Sequence, residues 1–256
     1  MSIRPYILSE LNWKEIKESE YRVAILPWGA TEAHNYHLPY CTDVFQSEFI
    51  AEESAKIAYE KGAKVIVLPA ISFGVNTSQF AINLTINFNP STQFAILKDI
   101  VDSLSKHKIQ KFIILNGHGG NDFKPAIREL QNIFPDVFIG QINWFQILDH
   151  SKYFSQPGEH ADEMETSNLM AIKPELVLPL TEAGDGKLNK FTVAGFKDGW
   201  AWAPRLWHKA TNDTGIGNPK NASAEKGKKF LNDLAQKIAQ SLIELSEVDL
   251  NELYEK

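Results

Sequence analysis

The chain has one cysteine, Cys41, in 256 residues. An internal disulfide framework is therefore excluded, and the composition fits a reducing compartment, with the cytoplasm as the expected location. Long apolar runs are also missing. FIIL and VIVLP are typical of the longest, far short of the roughly 20 residues that span a bilayer. The opening MSIRPYILSELNWKEIKESE mixes charge into its apolar positions and is not expected to act as a signal peptide. No long run of one sign accompanies the formal charge of −6, so no electrostatic footprint for DNA or RNA is present. Three catalytic signatures are absent as well: the GxSxG elbow, the HExxH helix and a P-loop GK[ST]. Nor does an internal repeat or low-complexity linker divide the chain, which is expected to form one domain over residues 1–256.

What is present is ample apolar material, 43% of residues, in alternating strand and helix patterns. Continuous apolar runs predict strands at Arg22–Trp28, Lys64–Pro69, Phe112–Leu115 and Val137–Gln141. Amphipathic spacing predicts helices from Asp43 to Gly62, from Ser91 (as cap) to about His107, from Phe123 to Phe134, from Ala161 to Ile172 and from Ala222 to about Glu247. A period-2 pattern over Phe80–Phe88 predicts a further strand with one polar face. Residues 181–220, rich in Gly, Asn, Asp and Trp, read as loops or hairpins. Such alternation with buried strands implies a three-layer α/β/α fold around a mostly parallel sheet. Ligands in such folds bind beyond the carboxyl ends of the strands.

Two segments occupy that position. LPWGATEAHNYHLPYCTD carries Glu32, His34, His37 and Asp43; LNGHGGN carries His118. Carboxylates and imidazoles at strand ends are the usual donors of hydrolytic metal sites. Glu32 and His34, two residues apart, project to one side of an extended segment. Asp43 has a competing structural role as helix cap with Gln46 completing a capping box, and His37 is more readily explained by packing or a turn hydrogen bond. Cys41 reads as a small buried hydrophobe more readily than as a reactive thiol. The glycines around His118 suit a ligand loop whose backbone bends sharply. A third element, GEHADEMETS, offers His160, Glu163 and Glu165. Asp162 within it is expected to be solvated surface charge, and Glu165 a partly buried carboxylate. Trp200, Trp202 and Trp207 suggest an aromatic lid, a packed core or a subunit contact.

Taken together, LPWGATEAHNYHLPYCTD, LNGHGGN, HADEMETS and GIGNPKNASAEKG resemble the creatininase (creatinine amidohydrolase) family, in the family's order and across about residues 22–230. The resemblance implies a small-molecule amide substrate, a homohexamer, and two divalent ions, zinc, manganese or iron. Glu32, Asp43 and His118 would hold one ion, and His34 and Asp43 the other. Creatininase places a glutamate two residues after the loop histidine; Gly120 stands there in this chain. Glu165 is the candidate replacement, assigned to the catalytic set as well as the metal set, and His160 matches the family's catalytic histidine. A His and a Pro-Gly-Thr common in the family are replaced within TSQFAINLT. The implied activity is hydrolysis of a C–N bond in a small, creatinine-like cyclic amide. Two alternatives stay open: deformylation of a ribosylaminopyrimidine formamide, as in riboflavin or deazaflavin synthesis, and non-catalytic ligand binding on the same fold.

Overall fold

A computed structural model describes residues 3–255. After a short helix α1 (Trp13–Lys17) capped by Asn12, the chain enters strand β1 (Val23–Trp28), then helix α2 (Thr42–Glu60) and strand β2 (Val65–Val67). Helix α3 (Pro90–Lys106), strand β3 (Lys111–Asn116), helix α4 (Lys124–Ile133) and strand β4 (Phe138–Asn143) follow. Helix α5 (Glu163–Ile172), two single-turn helices α6 (Ala194–Lys197) and α7 (Trp207–Ala210), and the long helix α8 (Ala224–Glu247) complete the order. The four strands are parallel in the order β2-β1-β3-β4.

Alternate residues of each strand feed opposite cores, because successive side chains of a pleated strand point to opposite faces. Val23, Ile25, Val65, Val67, Ile113 and Leu115 face Ile50 and Ala55 of α2 and Phe230, Leu234 and Ile238 of α8. Ala24, Leu26, Trp28, Ile66, Phe112 and Ile114 face Leu97 and Val101 of α3 and Leu130 of α4. The continuous apolar runs therefore report a sheet covered on both sides, as expected for α/β/α layering.

Element ends follow local chemistry. Gly62, at φ +92°, terminates α2 in a left-handed conformation. Pro90 supplies the first turn of α3, where its missing N–H is no loss. Asp162 caps α5 by accepting from Glu165 N at 3.0 Å, and Ser223 caps α8 through Lys226 N.

Three expectations and one competing reading need correction. Phe80–Phe88 is not a strand: it forms turns, with isolated bridges at Thr31–Ile86 and Gly74–Asn87. Its alternating apolar residues have no second layer to meet, Phe80 and Leu84 being 68% and 81% exposed, and Leu84 holds φ +60°. Ser91 is not the cap of α3, since the helix already begins at Pro90 after Asn89. Asp43 is not a cap either; it lies inside the first turn of α2, behind Cys41. Asp162 is not solvated. It is buried, and burial together with the neighbouring Glu165 carboxylate pushes its carboxyl up to about 7.

Candidate metal centre

Parallel order β2-β1-β3 makes the gap between β1 and β3 the point where successive connections turn in opposite directions. A crevice opens there at the carboxyl ends, and the paired ends Trp28 and Asn116 lie side by side. The chain leaving β1 carries Glu32 and His34; the chain leaving β3 carries His118. Gly29 lets α2 close on this spot, since a Cβ there would sit 2.6 Å from Val44 N. The first turn of α2, with Asp43, is thereby packed on the end of β1. The N-terminal end of a helix also favours a carboxylate.

The structure brings all six candidate residues together. Glu32, His34, Asp43, His118, His160 and Glu165 are all buried. Three triplets have ligand atoms within 4.8 Å of one another: Glu32–Asp43–His118, His34–Asp43–Glu165 and Glu32–His34–His160. Asp43 is common to the first two. Its Oδ1 lies 3.0 Å from His34 Nε2, and its Oδ2 3.1 Å from His118 Nδ1. Glu32 Oε1 is 3.0 Å from His118 Nδ1 and 3.7 Å from His160 Nδ1. Glu165 Oε2 is 3.8 Å from His34 Nε2.

Backbone carbonyls set the ring tautomers. A carbonyl oxygen only accepts, so the nitrogen facing it carries the proton. His34 Nδ1 donates to Glu32 O at 3.1 Å, His118 Nε2 to Val75 O at 3.1 Å, and His160 Nε2 to Ala33 O at 2.9 Å. Each remaining nitrogen therefore turns its lone pair toward carboxylate oxygens about 3–4 Å away. Lone pair against carboxylate is repulsive unless a cation lies between them. Carbonyls that orient ligand imidazoles through the far ring nitrogen in this way are typical of metal sites.

In the metal-free chain a proton serves as that cation at His34 and at His118. Burial lowers the His34 pKa, but the Asp43 and Glu165 carboxylates outweigh it and hold the ring at about 10. Burial likewise opposes charge on His118, and Glu32 and Asp43 hold it well above the usual histidine range. Burial alone would raise Asp43 and Glu32, yet both carboxyls are depressed, Asp43 chiefly by His34 and Glu32 by His118 and His160. Asp43 Oδ2, close to His118 but outside hydrogen-bond alignment, is a buried oxygen without a hydrogen-bond donor among the described residues. The donor set, hard oxygens with borderline imidazoles, fits divalent zinc, manganese or iron.

A family model described as "Creatininase: Creatinine amidohydrolase" matches residues 9–242. The chain belongs to the creatininase family. A solved creatininase-family structure from Bacteroides fragilis, carrying a provisional creatinine amidohydrolase name, is 43% identical, covers 100% of both chains and superposes with a TM-score of 0.93. The creatinine amidohydrolase of Pseudomonas putida is 25% identical over 66% of this chain and 73% of its own length. A mycofactocin precursor peptide peptidase of Mycobacterium ulcerans is 25% identical over 82% of this chain and 80% of its own. Creatininase relatives thus include a small-amide hydrolase and a peptidase, and the fold itself is that of creatininase.

Several neighbours of the cluster escaped the sequence reading. Gln79 Nε2 donates to Glu32 Oε2, and Gln46 Nε2 to Glu165 Oε1 at 3.1 Å. Ala161 N donates to Glu165 Oε2 at 2.5 Å. Asn116 and Asn121 brace the His118 loop: Asn116 Oδ1 accepts from His118 N and from Asn121 Nδ2, while Asn121 Oδ1 accepts from Val75 N and Gln93 Nε2. No spacing rule singles out a lone Gln, although the paired asparagines of NGHGGN were visible. Gly120 sits against the His118 ring: a Cβ there would lie 2.4 Å from both His118 Nε2 and Val75 O. His37 takes the structural part expected of it, with Nε2 2.8 Å from Thr166 Oγ1. Burial, and then His34, pushes it down to about 4. Trp207 packs on the His160 ring at 4.7 Å, whereas Trp200 and Trp202 are 79% and 85% exposed.

Proposed function

We propose that this creatininase-family hydrolase is a metal-dependent amidohydrolase cleaving a C–N bond of a small amide. The observation that carries the reading is the burial of three carboxylates with three imidazoles whose lone pairs all converge on them. Buried charge of one sign is tolerated only when compensated. Glu32, Asp43 and His118 would hold one divalent ion, and His34, Asp43 and Glu165 the other. Asp43 would be common to both sets, its Oδ1 lying 3.0 Å from His34 Nε2 and its Oδ2 3.1 Å from His118 Nδ1. When bound, such ions bring the pKa of a coordinated water from about 15.7 toward 7 and polarise a carbonyl.

The chain's own residues do the rest. Glu165 replaces the glutamate that creatininase carries two residues after the loop histidine. His160 is held by Ala33 O on one edge and packed between His34, at 4.0 Å between ring centroids, and Trp207. Its free Nδ1 would take up a proton from the attacking water and relay it to the departing nitrogen, an acid–base role that contributes roughly 10²–10⁴-fold where it operates. Gly120 favours a formamide or other small amide at least as strongly as creatinine, because the side chain that creatininase presents there is missing. A cytoplasmic homohexamer belongs to the same reading, with the exposed Trp200 and Trp202 as candidates for a covered surface.

Elemental analysis of purified protein tests the proposal. Two equivalents of zinc, manganese or iron per chain are expected, with loss of metal in His34→Ala and in Asp43→Ala. Full metal content in both variants would refute the ligand assignment. A screen of small amides then reads the activity, which should vanish on chelation and return with metal.

A further inference from the structure

Glu32 and Glu165 are held in the same manner. Glu32 Oε1 lies 3.0 Å from His118 Nδ1, while Oε2 accepts from Gln79 Nε2. Glu165 Oε2 lies 3.8 Å from His34 Nε2, while Oε1 accepts from Gln46 Nε2 at 3.1 Å. Each carboxylate turns one oxygen toward an imidazole and gives the other to a glutamine. Glu165 Oε2 also accepts from Ala161 N at 2.5 Å, which leaves it a second lone pair. The two glutamines are remote in the chain, Gln46 in the second turn of α2 and Gln79 at the end of the short turn Thr77–Gln79 between β2 and α3. Both are buried, although glutamine is ordinarily an exposed residue. Asp43, the carboxylate shared by two of the triplets, accepts from no amide on either oxygen among the described residues.

The carboxylates fix how the amides point. A carboxylate oxygen only accepts, so each glutamine must offer its nitrogen. At Gln46 the same logic runs one residue further. With Nε2 committed to Glu165, Oε1 faces Asn168, whose Nδ2 donates to it at 2.9 Å. Asn168 is fully buried on α5, three residues beyond Glu165. Turning the Gln46 amide over would set oxygen against carboxylate at one end and nitrogen against nitrogen at the other. The relay Asn168–Gln46–Glu165 therefore has one consistent direction, tied between α5 and α2. A neutral donor suits this task, because it orients a carboxylate without cancelling the charge that attracts a cation.

Resting on the two-ion reading, we infer that Gln46 and Gln79 are positioning residues, each reserving one oxygen of one glutamate for one divalent ion. Gln79 acts through Glu32 on the ion beside His118. Gln46, held in turn by Asn168, acts through Glu165 on the ion beside His34. Because Glu165 arrives from α5 and not from the His118 loop, the relay from α2 is what aims it at His34. Partners that hydrogen-bond a ligating carboxylate are worth about 10–100-fold in metal affinity.

The test strips full-length protein of metal and titrates it with Zn²⁺ against a competing chelator. Gln46→Met should weaken one of two zinc-binding steps about 10–100-fold and leave the other within about twofold. Gln79→Met should do the same to the other step. Two backgrounds with a single site assign the steps, Glu165→Gln keeping the ion beside His118 and His118→Ala the ion beside His34. In Glu165→Gln, adding Gln46→Met should change zinc affinity by no more than about twofold, because the carboxylate it aims is gone, whereas Gln79→Met should keep its full effect. In His118→Ala the two glutamine variants should exchange roles. A general loss of packing would weaken binding in every background. Asn168→Leu, which leaves Gln46 in place and frees its amide to turn, should weaken the step beside His34 alone and reads the same link if Gln46→Met does not fold. Wild type that binds no Zn²⁺ overturns the hydrolytic proposal and this inference with it. Wild type that binds two ions, with glutamine variants that weaken both steps alike or neither, overturns the positioning role alone. So does a Gln46→Met effect that persists once Glu165 is replaced.

Discussion

Gly120→Ala is the sharpest probe of the His118 loop. The added methyl would lie 2.4 Å from the His118 ring nitrogen and equally close to Val75 O, and the second of these is main chain that cannot rotate away. Overpacking of this kind costs about 1–3 kcal/mol. If the ring gives way instead, His118 loses its 3.1 Å bond to Val75 O, about 0.5–1.5 kcal/mol. Either route costs roughly 0.5–3 kcal/mol, a fall in Tm of about 1–12 °C for a chain of this size. The same displacement removes the carbonyl that fixes the His118 tautomer, and loss of a partner that orients a ligand imidazole weakens metal binding about 10–100-fold. Differential scanning calorimetry with and without chelator, alongside competitive metal titration, reads both effects. An unchanged Tm together with unchanged metal affinity would show that the loop has room the structure denies it, and the argument that position 120 must be glycine would fail.

Four further outcomes are expected. Metal-free protein should lose stability as pH rises: His34 sits at about 10 when folded against about 6.5 unfolded, so its contribution is complete below about 6.5 and gone above about 10. Depressed Asp43 and Glu32 act with the opposite sign, stabilising above the ordinary carboxylate range and failing as pH drops below it; urea midpoints measured across pH after chelation check both limbs, and a flat alkaline limb contradicts the assignment. Gly29→Ala should cost about 1–3 kcal/mol by driving a methyl into the main chain at Asp43 and Val44, and a Tm equal to wild type would show that α2 is free to slide. Lys226→Met strips the partner, 2.5 Å away, from the fully buried Glu163; because the lysine end is part-exposed, about 1–3 kcal/mol is expected in denaturant titration rather than the roughly 3–5 of a wholly buried pair. Glu165→Gln should release one metal equivalent and retain the other, and elemental analysis showing two would remove Glu165 from the ligand set.

The layer architecture was legible because strands buried on both faces leave uninterrupted apolar runs, as in KFIILN and RVAILPW. Helix limits came within a few residues wherever a glycine, a proline or a polar cap marked them, Gly62 and Pro90 among them. The failure at Phe80–Phe88 has a physical cause. Period-2 alternation signals a strand only when one face is buried, and that depends on a layer the local sequence does not encode. Asp162 was misread in the same way. An Asp beside a helix start is usually a solvated cap, and burial against remote segments decides otherwise. The six clustered side chains were singled out as candidates because imidazoles and carboxylates are rare enough at strand ends to stand out. Gln79 and Gln46 were not, since a neutral amide carries no such mark and its importance is visible only through the carboxylate it touches.

Each imidazole of the centre is aimed by a carbonyl of the main chain, Glu32 O, Ala33 O or Val75 O, and two of these three lie in the connection that leads from β1 to Asp43. The aim of the rings is consequently a property of loop length more than of neighbouring side-chain identity. Point changes that do not crowd a ring or the main chain would leave the rings facing as they do, whereas inserting or deleting one residue between Gly29 and Asp43 would swing two of the three away from their carboxylates. Over evolutionary time such a protein can diversify the walls of its cleft freely while the spacing of that one connection stays frozen.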